Sequence, residues 1–175
     1  MIAVIGAGSW GTALAIQFAR VGCEVRLGGV VELDLLETMV SNRENTQYLP
    51  GVAFPPNLSA YPDLAECVDD VRDILVVVPS HGLRATLTQL QPLLRADSRI
   101  CWATKGFELT TGKLPHQVAA EVLGPDIPVA VLSGPTFAKE VGAGLPTAMT
   151  IASNNDAFAR ELAEAISSDN FRAYT

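Results

Sequence analysis

Short apolar runs and apolar stripes at three- and four-residue spacing take turns along this chain. The run Ile2-Ala3-Val4-Ile5 predicts a buried strand, which stops at Gly6. Trp10, Leu14, Phe18 and Val21 then fall on one helical face, with Gln17 and Arg20 opposite. A second strand is expected over 24–27, ended by Gly28-Gly29, and Leu35, Leu36, Met39 and Val40 stripe the helix after it. The stretch from Arg43 through Asn45 and Tyr48 is polar and closes on a Pro50-Gly51 turn signal. Pro55-Pro56-Asn57 break the chain again before a short strand over 58–61 and a short helix over 63–68.

The run DILVVV over 73–78 is continuous and β-branched, as in a parallel strand covered on both faces. Pro79-Ser80-His81-Gly82 end it, and Leu83, Leu87, Leu90 and Leu94 recur at helical spacing, with Pro92 ending or bending that helix. A strand over 99–103 stops at Thr104-Lys105-Gly106, and Leu114, Val118 and Val122 mark the next helix. Another strand over 128–132 stops at Ser133-Gly134-Pro135-Thr136. A strand over 146–152 precedes a helix lined by Phe158, Leu162 and Ile166, capped by Asn155 or Asp156. One more strand is expected over 171–174. Strands alternating with helices through short loops predict one α/β domain over 1–175, a doubly wound, mostly parallel sheet of the Rossmann type.

Composition narrows the function classes. The 175 residues are 49% hydrophobic and 18% charged, which is globular, and the formal net charge is -7 without a basic block. That argues against a nucleic-acid partner and against an anionic membrane surface. The strongest apolar run, 74–78, is far too short for membrane insertion. Met1 leads straight into the first strand, leaving no room for a cleavable signal, so a cytoplasmic protein is expected. Cys23, Cys67 and Cys101 have no metal-type spacing and read as reduced thiols in or near the core; no metal site is expected.

The candidate chemistry starts at Gly6-Ala7-Gly8-Ser9-Trp10-Gly11, a G-x-G-x-x-G match lying between a strand and a helix. Gly6 would permit the tight turn, Gly8 would let a pyrophosphate approach the backbone, and Gly11 would let helix and strand pack closely. Four Gly-, Pro- or hydroxyl-rich peptides fall at expected strand ends: 6–11, 79–82, 104–106 and 133–136. In such a sheet ligands bind outside those ends. Gly6, Gly8 and Gly11 are therefore candidate cofactor contacts, joined by Pro79 on the next peptide. Lys105 is the one cation expected at this rim, placed to hold a substrate oxyanion or polarise a carbonyl. Glu32 lies about 20 positions past the last glycine, where an acid selects the ribose 2′-hydroxyl; it equally suits the first turn of the next helix. NAD and NADP both stay open. Arg43 is either a phosphate contact or a solvated helix end, His81 an acid–base group or an exposed loop imidazole, His116 structural or solvated, and Lys139-Glu140 a surface pair.

The chain resembles the N-terminal domain of the bacterial NAD(P)-dependent glycerol-3-phosphate dehydrogenases. The matching residues run in order along nearly its whole length: the glycine loop continued through Thr12-Ala13-Leu14-Ala15; Arg43, Asn45, Tyr48, Leu49 and Pro50; Val78 to His81; Ala103 to Gly106; Leu132 to Glu140; and Pro146-Thr147-Ala148. The Ser-Gly-Pro-Thr-Phe-Ala-Lys-Glu string is far more specific than the glycine loop. The resemblance implies reduction of dihydroxyacetone phosphate to sn-glycerol 3-phosphate with NAD(P)H, feeding glycerophospholipid synthesis. It further implies that Ser9, Trp10 and Ala138 contact the cofactor, Lys105 both cofactor and substrate, and Gly134 and Thr136 the substrate. The general-acid lysine and the grip on the substrate phosphate belong to a helical C-terminal domain expected to be absent from this chain, so no catalytic acid is assigned within it. Cofactor binding with little turnover is expected, and the resemblance admits a homodimer of the full-length enzyme. Gly28-Gly29-Val30-Val31 departs from the Trp-Gly and polar residues usual in the family. Two rivals remain: a non-catalytic nucleotide-binding or redox-sensing module, and another Rossmann dehydrogenase of a small hydroxy acid.

Overall fold

The computed structural model describes residues 1–175. One eight-stranded sheet runs through it in the order β3-β2-β1-β4-β5-β6-β7-β8. β1 (Ile2–Ile5) lies between β2 (Val25–Gly28) and β4 (Asp73–Val76), parallel to both. β3 (Leu58–Tyr61), β5 (Arg99–Trp102) and β6 (Val129–Ser133) extend the parallel set. β7 (Thr147–Ser153) turns back antiparallel to β6, and β8 (Phe171–Tyr174) follows parallel to β7. This is the doubly wound, mostly parallel architecture that the alternation of strands and helices predicts, with one reversal near its edge.

Successive strand residues point to opposite faces, and both faces are covered. Ile2 and Val4 enter one apolar layer, while Ala3 and Ile5 enter the other. The first layer is roofed by α1 (Ser9–Arg20), α2 (Leu33–Asn42), α6 (Ala138–Gly142) and α7 (Asp156–Ile166). The second is roofed by α3 (Leu64–Val68), α4 (Ser80–Leu90) and α5 (Pro115–Leu123). Phe18 and Phe158 have no exposed surface in the first layer; sealing a side chain of that size from water contributes about 1.5–3 kcal/mol.

Several boundaries differ from the sequence reading for identifiable reasons. β4 stops at Val76 rather than Val78, because its partner β1 ends at Ile5 and the chain turns away at Gly6. Gly28 lies inside β2, paired with Ile5 and Tyr61, where it is needed for close packing rather than for a turn: a Cβ there would stand 2.7 Å from the Cys67 sulfur. On the polar face assigned to α1, Arg20 is exposed but Gln17 is covered. Gln17 is 4% exposed, and its Nε2 donates to the Ile166 carbonyl at 2.9 Å. α6 and α7 pack over that side, and carbonyls at their ends accept from the polar side chains. Val40, expected in the α2 stripe, is 51% exposed, while Leu36 and Met39 carry the burial. Pro92 sits in a single 3-10 turn that follows α4. Asn155, of the two candidate caps, accepts from the Phe158 amide.

Candidate functional site

β1 leads to β2 on one side, and β4 leads to β5 on the other, so loops diverge where β1 and β4 lie side by side. Such a switch point is where ligands enter an open α/β sheet. A cavity of about 350 Å³ opens there. Gly6 to Ser9 form its floor, Gly29, Val30, Val31 and Glu32 come from the tip of β2, and Val77, Val78 and Pro79 come from β4. Leu35 and Tyr48 complete the wall.

The three glycines of the opening loop do three different things. Gly6 adopts φ 122°, and a Cβ there would lie 2.1 Å from the Val77 carbonyl oxygen. A Cβ on Gly11 would come within 1.8 Å of the Gly6 carbonyl oxygen, so its bare Cα brings α1 down onto the loop. At Gly8 nothing of the protein stands within 4 Å of the place a Cβ would take. Gly8 is also the N-cap of α1 and offers no capping side chain, so the first-turn amides point unmet toward the cavity. An open space in front of free helical amides suits a diphosphate. The residues present fit a dinucleotide cofactor.

Asn45 holds this loop in shape. Its side chain is fully buried, and Nδ2 donates to the Ala7 carbonyl at 2.9 Å and to Thr12 Oγ1 at 2.8 Å. Its Oδ1 accepts from the Tyr48 amide at 3.0 Å. No periodicity marks this residue; in the sequence it is one polar residue in a polar stretch. Arg43 is exposed at the end of α2, as the solvated-helix-end reading expects. It ends α2 in a left-handed conformation, φ 54°, and its Nη2 donates to the Pro55 and Leu58 carbonyls, strapping the connection to β3.

Lys105 stands at a second cavity of about 330 Å³ beyond the ends of β5 and β6, together with Thr104, Gly106, Ser133 and His116. His116 is exposed on α5, as its solvated reading expects, and lines this cavity. Thr104 Oγ1 donates to the Val78 carbonyl at 2.7 Å, tying the Lys105 peptide to the end of β4. The segment after Lys105 is clamped through Glu108, which takes two hydrogen bonds from Arg84 of α4 at 2.8 and 2.9 Å. Arg84 and Thr111 together hold the Glu108 carboxyl down to about 2.

The remaining candidates divide. Gly6, Gly8, Ser9 and Pro79 meet in the first cavity and Lys105 in the second. Trp10, Gly11, Gly134, Thr136 and Ala138 line neither. Trp10 and Ala138 pack against the same apolar layer. Gly134 lies hard against β7, where a Cβ would stand 2.8 Å from the Ala148 carbonyl oxygen. Trp10 Nε1 and Thr136 Oγ1 are both buried with no hydrogen-bond partner, a costly arrangement that commonly marks a working site. His81 is exposed on the first turn of α4 and lines neither cavity. Cys67 and Cys101 are buried free thiols, the first pushed up to about 12 by burial, and Cys23 is half-buried. No helix is long and apolar enough to cross a membrane.

Known proteins share this arrangement. The sequence model of the family described as NAD-dependent glycerol-3-phosphate dehydrogenase N-terminus matches residues 1–159. The glycerol-3-phosphate dehydrogenase (NAD(P)+) of Photobacterium profundum is 50% identical over 98% of this chain and 51% of its own length. Its counterpart in Vibrio cholerae serotype O1 is 52% identical over 98% of this chain and 50% of its own length. The crystal structure of glycerol-3-phosphate dehydrogenase from Coxiella burnetii superimposes with a TM-score of 0.94 at 46% identity, covering 99% of this chain and 52% of that one. The chain spans about half the length of the curated relatives it matches. Because the family's sequence model matches residues 1–159, nearly the whole chain, the chain belongs to the N-terminal domain family of the NAD-dependent glycerol-3-phosphate dehydrogenases.

Proposed function

We propose that this chain is the NAD(P)-binding part of an oxidoreductase that reduces dihydroxyacetone phosphate to sn-glycerol 3-phosphate, a step that feeds glycerophospholipid synthesis. The observation that carries the reading is the empty space in front of Gly8, at the sheet's switch point and under the unmet amides of α1. The relatives' names supply the reaction class and the cofactor class.

Bound nicotinamide supplies the hydride chemistry, and the protein supplies position and charge. In this reading Gly8 and Ser9 present backbone amides to the diphosphate, Gly6 and Gly11 shape the turn beneath it, the Gly6 amide being taken by the Gly28 carbonyl, and Pro79 flanks it. Trp10 and Ala138 lie toward the nicotinamide side. Lys105 puts its ammonium group where cofactor and substrate meet and attracts the oxygen on which negative charge develops. Gly134 and Thr136 border the substrate, and the partnerless Trp10 Nε1 and Thr136 Oγ1 find their hydrogen bonds in the ligands. Lys105 binds rather than transfers the proton. The general acid, as the family resemblance implies, lies in the half of the relatives' length that this chain does not span. Residues 1–175 form the dinucleotide-binding domain, and a helical domain in that other half grips the substrate phosphate. Free, buried thiols at Cys67 and Cys101 suit the cytoplasm, where this reading places the protein.

Titration of the chain with NADH, followed by cofactor fluorescence, tests the first part, with saturable binding expected. An assay of NADH oxidation with dihydroxyacetone phosphate tests the second. Turnover in the ordinary enzymatic range, about 1–10³ s⁻¹, would show that these residues already hold the proton donor.

A further inference from the structure

The tip of β2 carries a polar pair whose chemistry the proposed function leaves unused. Glu32, about 20 positions past Gly11, is where an acid can meet the adenosine ribose. Its backbone is left-handed, φ 54° and ψ 45°, a conformation rare for a side chain of this kind and concentrated at functional positions. Glu32 is the N-cap of α2, yet its carboxylate does not cap the helix. It turns instead to the cavity wall, where the Tyr48 hydroxyl donates to Oε1 at 2.7 Å. Oε2 makes no hydrogen bond with the protein.

From this pair we infer that the chain selects NAD(H) over NADP(H), with the Glu32 carboxylate, positioned by Tyr48, as the selecting group. The inference rests on the dinucleotide reading of the cavity. A ribose 2′-hydroxyl is a donor and finds an acceptor in Oε2. A 2′-phosphate offers no donor when ionised and brings close to two negative charges against the carboxylate at neutral pH.

Discrimination against NADP needs the absence of a compensating cation as much as the presence of the acid. Val30 and Val31 occupy the neighbouring positions on the wall, and no lysine or arginine lines the cavity. The two arginines nearest in sequence are committed elsewhere. Arg26 donates to the Glu66 and Asp69 carbonyls and lies over the Tyr61 ring, while Arg43 straps the connection to β3. Lys105 stands at the other cavity. The Tyr48 phenol, protonated at neutral pH like any ordinary tyrosine, is the donor in this pair.

Equilibrium titrations with NADH, NADPH and ADP at one fixed ionic strength test the inference. The chain should bind NADH at least about tenfold more tightly than NADPH, a gap typical of one well-placed charge contact. Glu32→Gln should narrow that ratio to about threefold or less, chiefly by improving NADPH binding. Tyr48→Phe, which frees the carboxylate to swing away, should give an intermediate ratio. Equal affinities in the unmodified chain, or a ratio that survives Glu32→Gln, would overturn the selection. ADP binding in that case would show that the dinucleotide site itself stands. Failure of all three nucleotides to bind would overturn both.

Discussion

Asn45 reaches across 38 positions of sequence to donate from Nδ2 to the Ala7 carbonyl in the middle of the glycine loop, at 2.9 Å. The same nitrogen reaches Thr12 on the first helix, so one amide group spans the turn and the helix it feeds. The loop conformation therefore depends on a residue outside the strand–turn–helix unit.

Asn45→Ala should leave the Ala7 carbonyl and the Thr12 hydroxyl without that donor in a buried setting. Loss of about 1–3 kcal/mol is expected, read as a lowered denaturation midpoint. Nucleotide affinity should fall as well, because the Gly8 amides would no longer be held in place. An Asn45→Ala chain that binds NADH normally would show that the loop keeps its shape unaided.

Substitution at two glycines should separate ligand space from packing space. Gly8→Ala meets no protein atom, so thermal stability should hold within about 0.5 kcal/mol, while NADH affinity drops sharply against the added methyl. Gly11→Ala drives a methyl into the Gly6 carbonyl, and overpacking of that kind costs about 1–3 kcal/mol or more. Thermal melts and cofactor titrations on both variants check the contrast.

The clamp on the Lys105 segment is sensitive to acid. Glu108 sits at about 2 in the folded chain, below its ordinary value of 4.5, with Arg84 as the first cause. A depressed carboxyl stabilises the fold above its unfolded value and loses that contribution as pH falls toward the folded one. Melting temperature should thus decline between about pH 4.5 and 2 through this group. Glu108→Gln should be less stable than the parent at pH 7 and should show a shallower acid slope. Parallel melts from pH 7 downward measure both.

Much of this molecule was legible from periodicity because parallel strands buried on both faces read as unbroken apolar runs. Ile2 to Ile5 and the run from Asp73 are cases in point, and the glycine loop announced itself by lying between strand and helix. Three things escaped for physical reasons. α6 has five residues, too few to show a stripe. Gln17 looked solvated because its partner, the Ile166 carbonyl, lies 149 positions away and no local pattern records it. Asn45 and Tyr48 sit in a polar stretch whose chemistry depends on which backbone groups the fold brings to them. Within the candidate site, the rim peptides were readable as strand endings, whereas the place of Glu32 on the cavity wall required the direction of its side chain.

Arg20, on the last turn of α1, should matter more than an exposed terminal arginine normally does. Its guanidinium donates to the Val141 and Gly142 carbonyls at the end of α6. Arg20→Met should cost about 1 kcal/mol by taking the guanidinium donor from the Gly142 carbonyl, while the Val141 carbonyl keeps the Gly144 amide, measurable by chemical denaturation with an unchanged m-value.

That bridge has a mechanical consequence. α1 begins at the glycine turn and α6 directly after the Thr136 peptide, so in the proposed reading cofactor and substrate would ride on a single welded wedge. Swinging the two helices apart would require breaking the guanidinium seam. Any jaw that shuts over the reactants must therefore hinge against this wedge rather than within it.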